Sequence, residues 1–487
     1  MMFGYDDAKA MAKERPCMLP LAMTIEGCAD PAKVYFRLRN RGKPSYLLES
    51  AAGPGEAARY SIIGCDPLLY LKVRGGEASL NGKKDYVEFI GDMIKTKDKR
   101  DALQVLKKVV ACGKIHVPPL AARYMLSFTG YISYDYVRSL VKIGDSSADD
   151  LHHPELEFML PEHLIVFDHF SKLTHYCSVI SLLDGDFDRE YERARTGVRQ
   201  LSKITGEKPL PITSKISSSS NMSPAEFGSI VDRAKRYIEA GDVIQAVLSR
   251  RIELSPSPPV DRFYTNLRRI NPSPYMFFLD FPERSVIGSS PEILVKVEGR
   301  KVETRPIAGT RRRGRTPADE KRMERELLAN EKERAEHLML VDLGRNDIGR
   351  VSDLGSVKVN EFMKVEKYSH VQHLVSNVVG RLQDGMDAFD ALKATFPAGT
   401  VTGAPKVRAM EIIEELEPTR RGIYAGAVGS FSCTGDADLA ITIRTLVAER
   451  KKGYIQVGAG IVADSDPRKE HYETENKARA LLAAAGV

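Results

Sequence analysis

Tryptophan is missing from all 487 residues, an oddity taken up below. Cysteine is scarce: six residues, at 17, 28, 65, 112, 177 and 433, widely and irregularly spaced with no CxxC. That excludes a zinc ribbon and leaves a disulfide framework unsupported, so a reducing cytoplasm is the expected compartment. No apolar run approaches the length of a membrane span, so no membrane role is expected. The opening MMFGYDD turns acidic at once and does not read as a secretory signal. No G-x-S-x-G occurs and no cysteine sits in a nucleophile-elbow context, so serine and cysteine triads are not indicated. A helix-turn-helix signature and an RNA-binding aromatic motif are also lacking, so nucleic acid is not an expected partner.

What is present is ordinary globular material. An apolar fraction of 43% with 28% charged residues argues against global disorder. The net charge of +6 is diluted over a long chain and suits anionic small substrates as well as anything larger. Residues 1–210 read as one mixed α/β region, with strands expected at 45–50, 123–134 and 162–167 and helices at 101–111 and 188–204. Residues 211–224 lie in a Pro- and Ser-rich stretch with four consecutive serines, 217–220, and form the expected linker. Residues 225–487 make the second region. Ser223-Pro224-Ala225-Glu226 predicts a helix start, with Ser223 as N-cap, Pro224 at N1 and Glu226 closing a capping box, and Gly241 ends that helix. Further helices are expected at 317–343, 388–396, 407–416 and 467–485. Strands are expected at 244–254, 275–281, 286–288, 293–298, 368–379, 424–432, 438–447 and 454–463. Helices and strands do not alternate strictly, which favours an α+β fold with largely antiparallel sheets.

Several constellations could carry chemistry. Two helices each hold an E-x-x-E: Glu333 with Glu336, and Glu470 with Glu473. Residues three apart share a helix face, so two such faces meeting would offer an oxygen-rich site suited to Mg²⁺. A solvated charged face is the alternative. Apolar Ala329, Leu340 and Leu343 place Glu336 beside a buried stripe, near His337 and Asp342. Gly458, Ala459 and Gly460 interrupt an expected strand, as Gly426 and Gly429 do another; such residues mark close approach of a ligand or of another backbone. Arg444 is a lone charge in an apolar stretch and needs an anion, either a substrate carboxylate or an internal acid. Residues 400–406 (TVTGAPK) lead into a helix whose free N–H groups could attract an anion, with Thr402 as the expected cap. The basic run 311–315 (RRRGR) reads as a solvated loop. His370 and His373 fall on opposite faces of an expected strand and are not a metal pair by spacing.

These motifs occur in an order that resembles the chorismate-utilising enzymes. The landmarks are 306–310 (PIAGT), 331–351 (EKERAEHLMLVDLGRNDIGRV), 368–376 (YSHVQHLVS), 396–405 (FPAGTVTGAP), 458–462 (GAGIV) and 470–478 (EHYETENKA). Residues 1–210 resemble the N-terminal region of anthranilate synthase large subunits, so the resemblance covers nearly the whole chain. It implies large, mostly antiparallel sheets covered by helices, with the N-terminal region packed on the catalytic region. Ala308 stands where aminodeoxychorismate synthases, the alternative within the family, carry a lysine nucleophile. Gln245 stands where isochorismate synthases carry a lysine base for water. Both substitutions favour ammonia as the attacking group and anthranilate as product.

The resemblance implies roles residue by residue. Glu336 and Glu473 would ligate Mg²⁺ directly, with Glu333 and Glu470 acting through water. Glu292 would be the general acid for loss of the chorismate C4 hydroxyl, and His373 would serve the later elimination of pyruvate. Gly309 and Thr310 would contact the ring; Tyr424, Arg444 and the segment Gly458, Ala459, Gly460 would hold the enolpyruvyl carboxylate. Ser50, Pro274, Tyr275 and Met276 would form a tryptophan feedback site, and the complete lack of tryptophan suits an enzyme made when that amino acid is scarce. No glutaminase region is recognised, so a separate glutamine amidotransferase subunit, component II, is the expected partner, in a heterotetramer of two large and two small subunits.

Overall fold

The computed structural model describes residues 4–13, 17–40, 42–50, 59–94, 101–111, 114–115, 126–183, 185–204, 215–367 and 371–487. Parts of the expected strand at 123–134 and of the linker at 211–224, and His370, lie outside the described residues.

The described strands join into one 22-stranded sheet. Its ladders are antiparallel, apart from the two-residue pairing of Cys17–Glu26 with Lys114–Ile115. The expectation of an α+β fold built on antiparallel sheet therefore holds. Strand Leu156–Asp168 forks the sheet. One of its edges pairs with Tyr60–Arg74; the other pairs with Leu173–Leu182 at one end and with Ser127–Ile132 at the other. From Tyr60–Arg74 one branch continues through Ser45–Glu49, Tyr275–Asp280, Arg284–Ser290, Thr445–Glu449 and Gly453–Ile461 to Gln245–Ser255. From Ser127–Ile132 the other continues through Ala427–Ser432, Ala437–Ile441, Ile293–Glu298 and Lys301–Thr304 to Val371–Arg381. The branches close on one apolar core that takes Leu69, Phe277 and Val286 from the first and Phe128, Phe431 and Leu439 from the second.

The two regions read from the sequence thus share ladders. Strand Ser45–Glu49 lies between Tyr60–Arg74 of its own region and Tyr275–Asp280 of the other. Buried charges reinforce the seam. Arg284 Nη1 donates to Glu157 Oε2 at 2.7 Å, and the hydroxyls of Tyr70 and Tyr131 donate to the same carboxylate at 2.5 Å each. Arg39 likewise donates to Asp261 and Asp280.

Local rules set the element ends. Ser223 and Glu226 form the reciprocal capping box around Pro224–Glu239, and Gly241 adopts φ +83° just beyond it. The four serines are not a linker coil: Ser217–Ser220 pairs as an exposed edge strand with Gln245–Ser255, because a backbone ladder needs no apolar side chains. The single helix expected at 317–343 is two, Pro317–Ala329 and Glu331–Gly349. Asn330 breaks it by accepting from the Glu333 N–H at 3.1 Å as the second helix's N-cap. The strand expected at 438–447 is also two, Ala437–Ile441 and Thr445–Glu449. Thr402 does not cap Lys406–Leu416; its hydroxyl turns back to the Ala398 carbonyl at 2.8 Å.

Candidate active site

Helices Glu331–Gly349 and Pro467–Ala485 lie over the sheet and flank a cavity of about 1140 Å³. Its lining brings together Glu333, Glu336, Glu470 and Glu473, so the two E-x-x-E faces do meet. Glu336 opens to the cavity, yet the protein packed around it, with Glu333 and Glu473, raises its carboxyl above the ordinary range. Burial raises Glu470 as well. Two cations counter this charge: Lys477 Nζ lies 2.6 Å from Glu473 and Arg311 Nη1 3.0 Å from Glu333. Among the described residues no three His, Cys, Asp or Glu side chains stand grouped so as to hold a metal ion by themselves; the four carboxylates line one cavity from two helices. That donor set fits Mg²⁺, which takes few protein carboxylates and completes its shell with water and substrate oxygens. His337, beside Glu336 in sequence, is fully buried in the opposite direction, with Nε2 2.6 Å from Ser376 Oγ. Asp342 pairs with Arg345 at the surface.

Glu292 follows strand Arg284–Ser290 into the same cavity. Burial pushes its carboxyl up to about 8, against the opposing pull of Thr400, Arg444 and Lys477. It is therefore protonated at neutral pH and can act as an acid. His373, on Val371–Arg381, places Nδ1 2.9 Å from the Gly309 carbonyl oxygen. Burial holds its pKa below the usual histidine range, so the ring is neutral. Gly309 adopts φ +63° where its strand bulges, and a Cβ there would stand 3.0 Å from Glu333 Oε2. The turn that presents its carbonyl to His373 thus calls for glycine. The side chain of Thr310 lies outside the described atoms; its backbone pairs with His373.

Arg444 sits in the break between its two strands with φ +51°, a conformation non-glycine residues rarely hold without a reason. Burial lowers its pKa, and no described carboxylate comes within ion-pair distance of it, although Glu292 and Glu473 lie on its side of the cavity. An internal acid is therefore not its partner, and an anionic ligand is what the position suits. Tyr424 stands beside it, held neutral by burial with its phenol pushed up to about 12. A Cβ on Gly458 would meet the Tyr424 hydroxyl at 2.9 Å, so a glycine is what permits that approach. Gly458 and Gly460 face the cavity; Ala459 does not, because strand alternation turns it into the core with Phe227 and Leu248. The basic run is internally paired, Arg312 with Asp319 and Arg313 with Glu320.

Two lining residues escaped the sequence reading, and a third, Gln245, entered it only as a point of comparison within the family. Lys477 also donates to the Gly458 carbonyl at 2.8 Å; its signal was its place one turn after Glu473. Gln456 lines the wall and donates to Ser249 Oγ at 2.8 Å. Gln245 is buried with an Oε1 that accepts no hydrogen bond. A second cavity, of about 280 Å³, is lined by Ser50, Pro274, Tyr275 and Met276 together. Ser50 Oγ donates to the Pro274 carbonyl at 2.9 Å across the seam between the two regions. Among the described residues no helix is long and apolar enough to cross a membrane.

The chain is similar to known proteins over nearly its whole length. The profile of the chorismate binding enzyme family matches residues 43–483. Anthranilate synthase component 1 of Aquifex aeolicus is 46% identical over 466 residues, 94% of this chain and 92% of the relative. The same component of Thermococcus kodakarensis is 44% identical over 460 residues, 94% and 98%. Of solved structures, anthranilate synthase component I from Streptococcus pneumoniae TIGR4 matches with TM-score 0.75 at 37% identity, over 93% of this chain and 97% of that one. The menaquinone-specific isochorismate synthase of Escherichia coli matches with TM-score 0.73 at 17% identity, a likeness of fold alone.

Proposed function

We propose that this chain, which belongs to the family of chorismate binding enzymes, is the synthase component of an anthranilate synthase, joining ammonia to chorismate and releasing anthranilate and pyruvate. The observation that carries the choice of reaction is the pair Ala308 and Gln245 in the cavity wall. Alanine offers no nucleophile for a 4-amino product, and an amide cannot deprotonate water. Ammonia needs neither service, and the open Gln245 Oε1 can accept one of its N–H groups.

Mg²⁺, held by Glu336 and Glu473 with Glu333 and Glu470 behind water, would neutralise and orient the ring carboxylate of chorismate. Arg444 and the Tyr424 hydroxyl would hold the enolpyruvyl carboxylate. The protonated Glu292 gives its proton to the C4 hydroxyl, which leaves as water while ammonia bonds to C2. The neutral His373, whose Nδ1–H is engaged by Gly309, uses Nε2 to take the C2 proton; the C3–oxygen bond breaks with its electrons on oxygen, the ring becomes aromatic, and the departing enolpyruvate takes up one proton on carbon to become pyruvate, which balances the one removed from C2. We extend the reading to a glutamine amidotransferase subunit as ammonia source, in an assembly of two large and two small subunits in the cytoplasm. Tryptophan would be a feedback inhibitor seated in the second cavity.

The test mixes the purified chain with chorismate, Mg²⁺ and an ammonium salt and follows anthranilate fluorescence, with EDTA as control. Metal-dependent anthranilate supports the reading. A 4-amino product would move the chain to the aminodeoxychorismate branch, and untouched chorismate in the presence of the amidotransferase would overturn the enzyme reading.

A further inference from the structure

The loop that presents Tyr424 to the large cavity is held from outside its own region. Residues 422–425 form a turn before strand Ala427–Ser432, with Gly422 at φ +58° and Ala425 at φ +63°. Residues 133–135 of the first region clamp its start. The Ser133 hydroxyl and the Tyr134 N–H both donate to the Gly422 carbonyl at 2.7 Å, and the Gly422 N–H donates to Asp135 Oδ2 at 2.8 Å.

Arg421, one residue earlier, is 3% exposed and does not line the cavity. Its guanidinium grips the Glu417 carboxylate twice, through Nε at 2.9 Å and Nη2 at 2.6 Å. It also donates to the carbonyls of Val247 and Val401, each at 2.7 Å. Both valines line the cavity: Val247 shares a strand with Gln245, and Val401 follows Thr400 in a short turn. The Glu417 carboxylate is satisfied in its turn, accepting from the Ser249 N–H and hydroxyl at 2.7 and 2.9 Å. The guanidinium carbon stands 4.8 Å from the ring centroid of Tyr134 and 5.8 Å from that of Tyr424. A planar, desolvated cation between fixed acceptors and aromatic rings has one orientation open to it. Burial pushes the Tyr424 phenol up to about 12, and Arg421 exerts the largest pull in the other direction. The Tyr134 hydroxyl is buried with no hydrogen-bond partner among the described residues. What that position supplies is an aromatic face.

We propose that Arg421 and Tyr134 are positioning residues for the carboxylate end of the substrate: Tyr134, from the first region, and the Arg421 guanidinium together fix the Tyr424 ring, so that its hydroxyl and Arg444 converge on one carboxylate. This rests on the reading of Tyr424 and Arg444 as the holders of that carboxylate. Arg421 acts through Tyr424 and touches no substrate. A buried ion pair adds little net stability, because desolvation offsets the attraction of the two charges. Its use here is geometric, since a hydrogen bond to a carboxylate weakens steeply when the donor is misaligned.

The test is calorimetric titration of chorismate into the full chain at saturating Mg²⁺, with ammonia and glutamine withheld so that nothing turns over. Tyr424→Phe should weaken chorismate by about 10–100-fold, the worth of a hydrogen bond to a charged group. Tyr134→Leu and Arg421→Lys should each weaken it by about tenfold, while Mg²⁺ titrated without chorismate binds as in the wild type. Tyr134→Phe keeps the aromatic face and should bind chorismate normally. Added to Tyr424→Phe, Tyr134→Leu should cost less than about twofold, because the hydroxyl it positions is already gone. Arg421→Lys strands part of a buried carboxylate and can fail to fold; Tyr134→Leu strands no charge and decides the matter alone. Unchanged affinity in folded Tyr134→Leu, or the same loss with and without the Tyr424 hydroxyl, would overturn the positioning role. Unchanged affinity in Tyr424→Phe would overturn the reading of Tyr424 instead, and that single variant tells the two failures apart.

Discussion

His373 is held by Gly309: imidazole Nδ1 lies 2.9 Å from the carbonyl oxygen, and a carbonyl can only accept. The tautomer is therefore set, with the proton on Nδ1 and Nε2 as the basic nitrogen. Replacing His373 with Ala should leave the first addition running and slow the elimination by about 10²–10⁴. Chromatography should then show chorismate consumed and an amino intermediate accumulating without anthranilate fluorescence. Equal loss of both steps would reject this division of labour.

With Glu292 as the proposed acid, activity should fall on the alkaline side. Its folded value of about 8 lies above the ordinary 4.5, so the active, protonated acid is lost as pH rises through about 8. The same shift affects stability. The carboxyl's contribution is fully present below pH 4.5 and is lost as pH rises through about 8. Glu292→Gln should thus abolish turnover while melting higher than the wild type at pH 9 and level with it near pH 4.5. Calorimetric melting at both pH values checks the sign.

Glu336→Gln should remove metal-dependent turnover and weaken Mg²⁺ binding by at least about tenfold. Magnesium titration without substrate reads this directly. The raised pKa of Glu336, caused by burial and by Glu333 and Glu473, adds that metal affinity falls as pH drops, because protons compete for the carboxylate. Unchanged affinity in the variant would remove Glu336 from the metal site.

Glu157→Ala should destabilise the fold by about 3–5 kcal/mol, since it removes the buried partner of Arg284, leaving it only the exposed Glu283, and takes an acceptor from Tyr70 and Tyr131. Urea unfolding should show one transition moved to lower denaturant. Two separated transitions would mean that the halves unfold independently.

Local rules carried far in the sequence. The Ser223–Glu226 box, the helix Pro467–Ala485 and second-half strands such as Tyr275–Asp280, Ile293–Glu298 and Gly453–Ile461 lie where pattern alone puts them. The failures have physical causes. Asn330 breaks a helix because its side chain caps better than it continues, and the flanking helical pattern is in phase on both sides. Arg444 ends a strand because its backbone turns left-handed, which no apolar alternation reveals. Ala459 looks like part of the glycine theme, but its pleat faces the core. Most first-half strands, such as Tyr60–Arg74 and Leu173–Leu182, escaped notice because they are buried over long stretches on both faces, which blurs the alternation of apolar and polar residues. In the candidate site, single residues were legible and pairings were not: the Gly309–His373 and Lys477–Gly458 contacts depend on register between distant strands and helices.

That interleaving also bears on how the protein is made. Thr129 must find Ser430, 301 residues later in the chain. At about 5–20 residues per second, strand Ser127–Ile132 leaves the ribosome tens of seconds before its second partner exists. Through that interval the nascent chain shows an uncovered edge of apolar strand, which is the surface that pairs wrongly between neighbouring chains. The nascent chain should therefore be a client of holding chaperones, and its yield should respond to translation speed and to their supply more than to the stability of the finished fold.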